Sequence, residues 1–523
     1  MQISVNVSPQ HMNLDEYRDK VLGCWMGKNI GGTLGAPFEN TQQMNDVHFY
    51  TQDLKGQPEP NDDLDLQLVW LQAIEEHGLY NITPRLLGEY WMNHIVGPWN
   101  EYGVCKANIA AGLYPPLSGS CNNDMWKYSN GAWIRSEVWA CMLPGSPDEA
   151  AKFAYMDSCC DHTGEGVYAE MFTASLEAAA FVVSDVRELI SIGLSKIPPE
   201  SRLAENVKLA CELYDTKVEF SEARNRIVEA NKDLGWFQAP GNIAFTIIAI
   251  LYGEGDFGKT ICLATNCGDD TDCTAATAGA ILGIIHGRKA LPQKWIEPIG
   301  DSIQTVAINR FNLDVPASVT ELTDRVISQA LDNCNYNRKL VALDERPTEF
   351  TADFQASLND SEWVKTRLWS LSPYDLVFDL PYAELSVDYQ DGPEIEEGVD
   401  KKIRVIIRNA NHREQLMHLN WELPEGWTML PGPSASLNSK KGLQPGVDFV
   451  LRPGPIHSVY TYVPLKVTLS GRMNPVGVHV PFQLKGGVQH CANSAGDWHL
   501  AYWDERTRAL GRLDRTKVKL QIS

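Results

Sequence analysis

The sequence predicts a chain in two parts, an all-α helical bundle followed by a small all-β sandwich of immunoglobulin-like type. Three observations carry this. Up to about residue 340 the apolar residues recur at helical spacing, with no convincing alternating stretch. Beyond Pro373 short alternating runs separated by Pro and Gly turns take over. The length of 523 residues also exceeds what one hydrophobic core serves. The expected divisions are residues 1–345 for the helical domain, 346–377 for a linker, 378–485 for the sandwich and 486–523 for a tail that the pattern does not place.

Composition narrows the function classes. A net charge of −22 with no basic face disfavours nucleic acid as a partner. Met1 to Pro9 lacks a basic and apolar leader pattern, and no run is long enough to span a bilayer, so a soluble cytoplasmic protein without a membrane partner is expected. The twelve cysteines, adjacent Cys159 and Cys160 included, follow no regular framework and read as free buried thiols.

Taken in order, Asp15 to Ile30 reads as a helix with Gly23, Gly27 and then Gly31 on one face, a spacing that suits close contact with a second helix. It runs into the turn-rich Gly31 to Glu39. Asn61 is a good N-cap, with Asp62 and Asp63 favoured in the first turn by the helix dipole. Tyr90 to Trp139, rich in Gly, Asn and tryptophan, reads as loops that form a binding surface. Within it, aromatics suit stacking on a sugar or base and Arg135 suits a carboxylate or phosphate; core tryptophans and a structural ion pair are the alternative. Ala150 to Val183 reads as helices interrupted at Asp157 to Gly166, where His162 sits beside Asp161 and Glu165 without a zinc spacing. Helical pattern continues through Arg202 to Asn231 and Ile303 to Asn333.

The densest chemistry lies in Ala264 to Gly279, where Asp269, Asp270 and Asp272 crowd the turn between two apolar helices. Carboxylates held together out of water need cations, so this turn reads as a metal site at the floor of a pocket.

The first 340 residues resemble the ADP-ribosylglycohydrolase family. Three motifs in family order carry the resemblance: Gly23 to Glu39, Asn61-Asp62-Asp63, and Gly268-Asp-Asp-Thr-Asp-Cys273 with the alanine-rich helix after it. Ser129 to Arg135 and His162 are similar to further family features. The resemblance implies an all-α catalytic domain with two magnesium ions, Mn2+ or Ca2+ being alternatives. It implies Asn61, Asp62, Asp63, Asp270, Asp272 and Cys273 as the metal set, and Glu39 as a general base or gate acting with Asp62, Asp63 and Asp270. It also implies Asn130, Gly131, Trp133, Arg135 and His162 at the substrate. The chain departs from the pattern at Gly32, where the family has aspartate, at Asn61 and Cys273, where it has hydroxyl residues, and at Asp269, where it has glycine. A thiol is a soft ligand for magnesium, and Asp269 is expected to compensate with an extra carboxylate.

The implied function is metal-dependent hydrolysis of a ribosyl-type N- or O-glycosidic bond, with an ADP-ribosyl adduct as the default substrate and a small-molecule or ADP-ribosylated substrate as the partner. A glycoside or nucleoside hydrolase acting on another sugar, and a silent crystallin-like binding protein, stay open. Homo-oligomerisation through either part is compatible with the sequence.

Overall fold

A computed structural model of the chain describes residues 10–409, 413–440 and 442–487. Met1 to Pro9, Ala410 to His412, Lys441, and the tail with Trp498, Tyr502 and Trp503 lie outside the described residues.

The helical part is built on one antiparallel pair, Leu14–Gly35 against Thr271–His286. Its closeness comes from residues without side chains. A Cβ on Gly23, Gly27, Gly31 or Gly35 would lie 2.2, 2.1, 2.0 or 2.3 Å from the carbonyl oxygen of Gly283, Gly279, Ala275 or Thr271 respectively, so backbone meets backbone along the whole pair. That packing carries the first helix on through Gly35, where a turn beginning at Gly31 was expected. Asn13 caps it by accepting from the amides of Asp15 and Glu16. Helices Ala239–Gly253, Glu165–Ala180 and Asp62–His77 complete the surroundings, and one continuous apolar core runs among them.

Two stretches differ from expectation. Tyr90 to Trp139 is about half helical, with the end of Pro84–His94, Asn100–Ala110 and the start of Glu137–Met142, because Trp91, Trp133 and Trp139 are fully buried and tertiary packing overrides weak helix propensity. Residues 303–318 are irregular before the helix Val319–Tyr336, since the amides of Val306 and Ala307 both donate to Asp65 Oδ2 at 2.6 Å instead of to helix carbonyls.

Residues 346–377 carry short helices Ala352–Ser357 and Glu362–Arg367, with Leu358, Val364 and Leu368 packed into the helical core. Beyond them two five-stranded sheets face each other. One runs Asp375–Leu380, Ala383–Asp388, Lys401–Asn409, Gly446–Arg452, Thr428–Leu430 in spatial order, and the other Glu394–Ile395, Val476–Leu484, Tyr460–Leu469, Gln415–Trp421, Ser434–Ser439. All neighbours are antiparallel except the short first strand of the second sheet. Inward residues alternate along Lys401–Asn409 and Gln415–Trp421, giving a sandwich core with Trp421 against Phe449.

This core also takes in residues of the helical part. Leu113, Leu117 and Cys121 are buried in the sandwich cluster. Tyr462 Oη donates to Ala111 O at 3.0 Å, and the side-chain amides of Gln483 and Asn122 exchange hydrogen bonds at 2.8 and 3.1 Å. Among the described residues no helix is long and apolar enough to cross a membrane.

Candidate active site

Two helix N-termini converge at the floor of a cleft of about 520 Å3. Asp62–His77 brings Asn61, Asp62 and Asp63, and Thr271–His286 brings Asp270, Asp272 and Cys273. The first helix ends in the short turn Ala36–Phe38, which sets exposed Glu39 at the rim. Backbone amides at both helix starts favour the negative charge gathered there. Aromatic walls come from Trp99, Tyr102, Trp126 and Phe237, and Ser129, Asn130 and Gly131 line the remaining side.

Each carboxylate is oriented by a neighbour. Tyr102 Oη donates to Asp62 Oδ2 at 3.0 Å, Asn130 Nδ2 to Asp270 Oδ2 at 2.8 Å, and Cys273 Sγ to Asp63 Oδ1 at 3.4 Å. Burial pushes Asp62 up to about 6, with Asp272 adding to it. Burial also raises Asp270 well above the usual carboxylate range, helped by Asp272 and Glu39. Asp63 is likewise raised by burial although Lys28 opposes it. A cluster built this way favours either protons or cations.

The cleft suits a hard divalent cation. Oxygens of Glu39, Asp270 and Asp272 lie within 4.8 Å of one another, as do ligand atoms of Asp63, Asp272 and Cys273. Asp272, only 7% exposed, leaves its Oδ1 without a hydrogen-bond partner. An oxygen-rich, acid-rich donor set with an unpaired buried carboxylate oxygen fits magnesium, manganese or calcium better than a soft metal.

Several sequence expectations take a different place. Arg135 does not reach the cleft: it is fully buried, with its Nε 2.8 Å from Asp157 Oδ1 and its Nη2 2.6 Å from Asp161 Oδ1, and its Nη1 donates to Gly131 O. It holds the loop from behind. Trp133 is buried too, and its Nε1 donates to Asn130 Oδ1 at 3.1 Å, which fixes the amide that serves Asp270. His162 is buried between Ser129 Oγ at 3.0 Å and Asp161 Oδ1 at 2.9 Å. Gly131 does line the cleft, where a Cβ would lie 2.2 Å from Glu101 Oε1.

Asp269 supplies no extra carboxylate to the cluster. Its backbone is left-handed, at φ 70°, and its carboxylate turns away to accept from the Phe237 amide at 3.0 Å and Asn242 Nδ2 at 2.9 Å. It thereby holds Phe237, itself at φ 63°, as a cleft wall. Asn61 spends its Oδ1 on the Asp63 amide at 2.7 Å and presents its Nδ2 to Asp272 Oδ2 at 3.4 Å, so it acts as a cap with its N–H face toward the acids. A Cβ on Gly32 would lie 2.5 Å from that Nδ2, so the departures at residues 32 and 61 share one space.

Sequence reading missed Glu101, Tyr102 and Phe237 in the walls, and Lys28, the one charged residue between Val21 and Gly35 of the glycine-spaced helix, which is fully buried beneath Asp63. That isolation was the available signal for Lys28.

A helical body that gathers buried carboxylates from two helix starts under an aromatic cleft defines a class of small-molecule-scale active sites. The family model described as ADP-ribosylglycohydrolase matches residues 13–331, and the chain belongs to that family. An ADP-ribosylarginine hydrolase, Tri1, of Pseudomonas putida (strain GB-1) is 34% identical over 80 residues, which are 14% of this chain and 22% of the relative. The match thus spans about a fifth of that relative's length. A solved structure titled ADP-ribosylglycohydrolase-related protein complex aligns with a TM-score of 0.40 at 21% identity, covering 61% of this chain and 99% of its own.

Proposed function

We propose that the cleft hydrolyses the glycosidic bond of an ADP-ribosyl adduct with the help of divalent cations, magnesium first among them. The observation that supports this most is the buried, cation-seeking cluster of Asp62, Asp270 and Asp272 beside exposed Glu39, in a chain of this family. Held by these oxygens, a divalent cation supplies positive charge that orients ribose hydroxyls and eases deprotonation of water.

The chain's own residues do the rest. Hydrolysis joins a water oxygen to the anomeric carbon and breaks the bond from that carbon to the leaving nitrogen or oxygen, which must regain a proton. Glu39, at the rim and near Asp270 and Asp272, is placed to take the water's proton and return it. Tyr102 and Asn130 hold Asp62 and Asp270 in fixed orientations, so their charge is preorganised. The walls Trp99, Trp126 and Phe237 offer apolar faces to a base or sugar. Arg135 and His162 act as supports of the Ser129 to Gly131 loop and not as substrate contacts. The eleven free cysteines among the described residues suit a reducing, cytoplasmic setting.

The test uses Asp62→Ala and Asp270→Ala, with folding checked by circular dichroism. Turnover of an ADP-ribosylated arginine substrate should fall on the order of 100-fold or more in each. ADP-ribose with magnesium should raise the melting temperature, by about 2.7 kcal/mol of stabilisation at a hundred times Kd. Unchanged turnover in both variants would end the reading. A thermal shift with simple nucleosides or sugars but none with ADP-ribose would move it to another glycosidic substrate.

A further inference from the structure

The acids of the cleft divide into two positions that the protein treats differently. Asp62, Asp270, Asp272 and Glu39 line the open cleft. Asp63 lies beneath it, 1% exposed, with one oxygen hydrogen-bonded and the other, which has no hydrogen-bond partner, turned toward a buried ammonium. Oδ1 accepts from Cys273 Sγ at 3.4 Å, and Oδ2 faces the Lys28 ammonium at 3.7 Å.

Lys28 is not a passing neighbour. Its side chain is fully buried, and its Nζ lies 2.8 Å from Glu137 Oε1. Glu137 Oε2 in turn accepts from Gln67 Nε2 at 2.8 Å, and Gln67 Oε1 from the Val138 amide at 2.7 Å. An ammonium fixed by this chain of bonds is a permanent positive charge next to Asp63. Asp272 offers a further carboxylate near Asp63, and the remaining two groups suit a hard cation poorly. Cys273 offers a thiol, and Asn61 spends its carbonyl oxygen on a helix cap while turning its NH2 toward Asp272.

We propose that this chain holds a single divalent cation, on the cleft side at Glu39, Asp270 and Asp272 with Asp62 beside them, and that the Lys28 ammonium takes the electrostatic place of a second cation at Asp63. Buried Asp272 Oδ1 and Asp63 Oδ2 both lack a hydrogen-bond partner, but Asp63 Oδ2 faces the Lys28 ammonium, which leaves Asp272 Oδ1 for the one ion. Lys28 and Cys273 are then the residues that set the metal count. The inference rests on the proposed metal-dependent site, but it does not depend on the substrate assigned there.

The experiment titrates Mn2+ into the chelator-stripped full chain and reads bound metal by elemental analysis and electron paramagnetic resonance. One equivalent per chain with the spectrum of an isolated ion is expected. Cys273→Thr, which restores a hydroxyl oxygen without disturbing the Lys28 network, should admit further Mn2+, and Cys273→Thr with Lys28→Met should reach a second equivalent with exchange coupling between the ions. Two equivalents or a coupled spectrum in the unaltered chain would overturn the proposal and leave the hydrolase reading standing. No bound Mn2+ at all would overturn both this and the metal part of the proposed function. The unaltered chain decides the matter even where the double variant fails to fold.

Discussion

At the scale of single residues, the cleft is balanced between protons and cations. Asp62 is pushed up to about 6, chiefly by burial, and Asp270 is raised by burial and its acidic neighbours. In the cation-free protein these groups bind more protons when folded than when unfolded. Their contribution to stability is therefore fully present below the unfolded carboxylate range and is lost as pH rises through about 6. A cation must displace those protons, so its affinity should weaken below that pH by about tenfold per pH unit for each proton displaced. Magnesium-induced rises in melting temperature, measured at pH 5 and pH 7.5 against a chelated control, should be clearly larger at the higher pH. Equal shifts at both would show that the acids are already ionised without the metal.

At the scale of elements, the contact between Leu14–Gly35 and Thr271–His286 sets the distance between the acidic turns, because Asp270 and Asp272 start one helix and Glu39 follows the other. Gly31→Ala would place a methyl group 2.0 Å from the Ala275 carbonyl oxygen, which must move. A loss of roughly 1–3 kcal/mol or more is expected in denaturant melts, together with weaker Mn2+ binding as the helix starts separate. Gly477→Ala, on a strand with open space around it, is the control and should change neither. The glycine face was legible because a four-residue spacing is a local signal; its partner helix was not, since nothing local says which segment returns to meet it. The same limit explains Arg135. Its sequence neighbourhood suggests a ligand clamp, whereas the carboxylates that occupy it, Asp157 and Asp161, come from the helix Pro147–Ser158 and the turn after it. The acids at residues 62, 63, 270 and 272 were readable as one cluster through the family resemblance that pairs their two motifs, since nothing local joins segments about two hundred residues apart, and the roles of Asp269 and Asn61 depend on side-chain direction, which spacing does not carry.

At the scale of the whole molecule, one stretch joins the cleft to the sandwich. Trp99 to Tyr102, Trp126 and Ser129 to Gly131 line the cleft, and between Tyr102 and Trp126 the residues Leu113, Leu117 and Cys121 are buried in the sandwich core. The sandwich therefore clamps the middle of the segment whose two ends form a cleft wall, and this gives the β part a role in shaping the site without contributing a residue to it. Leu117→Ala should cost about 2–5 kcal/mol, as any large buried truncation does, and should also raise KM by loosening the wall. Leu469→Ala removes a side chain from the same core at the far end of the strand that carries Tyr462. It should lower stability to a similar degree and leave KM alone. Comparing the two at a temperature where both are folded separates clamping from general destabilisation: equal KM values would mean that the wall keeps its shape without the sandwich's hold, while a rise confined to Leu117→Ala would tie cleft geometry to the β part.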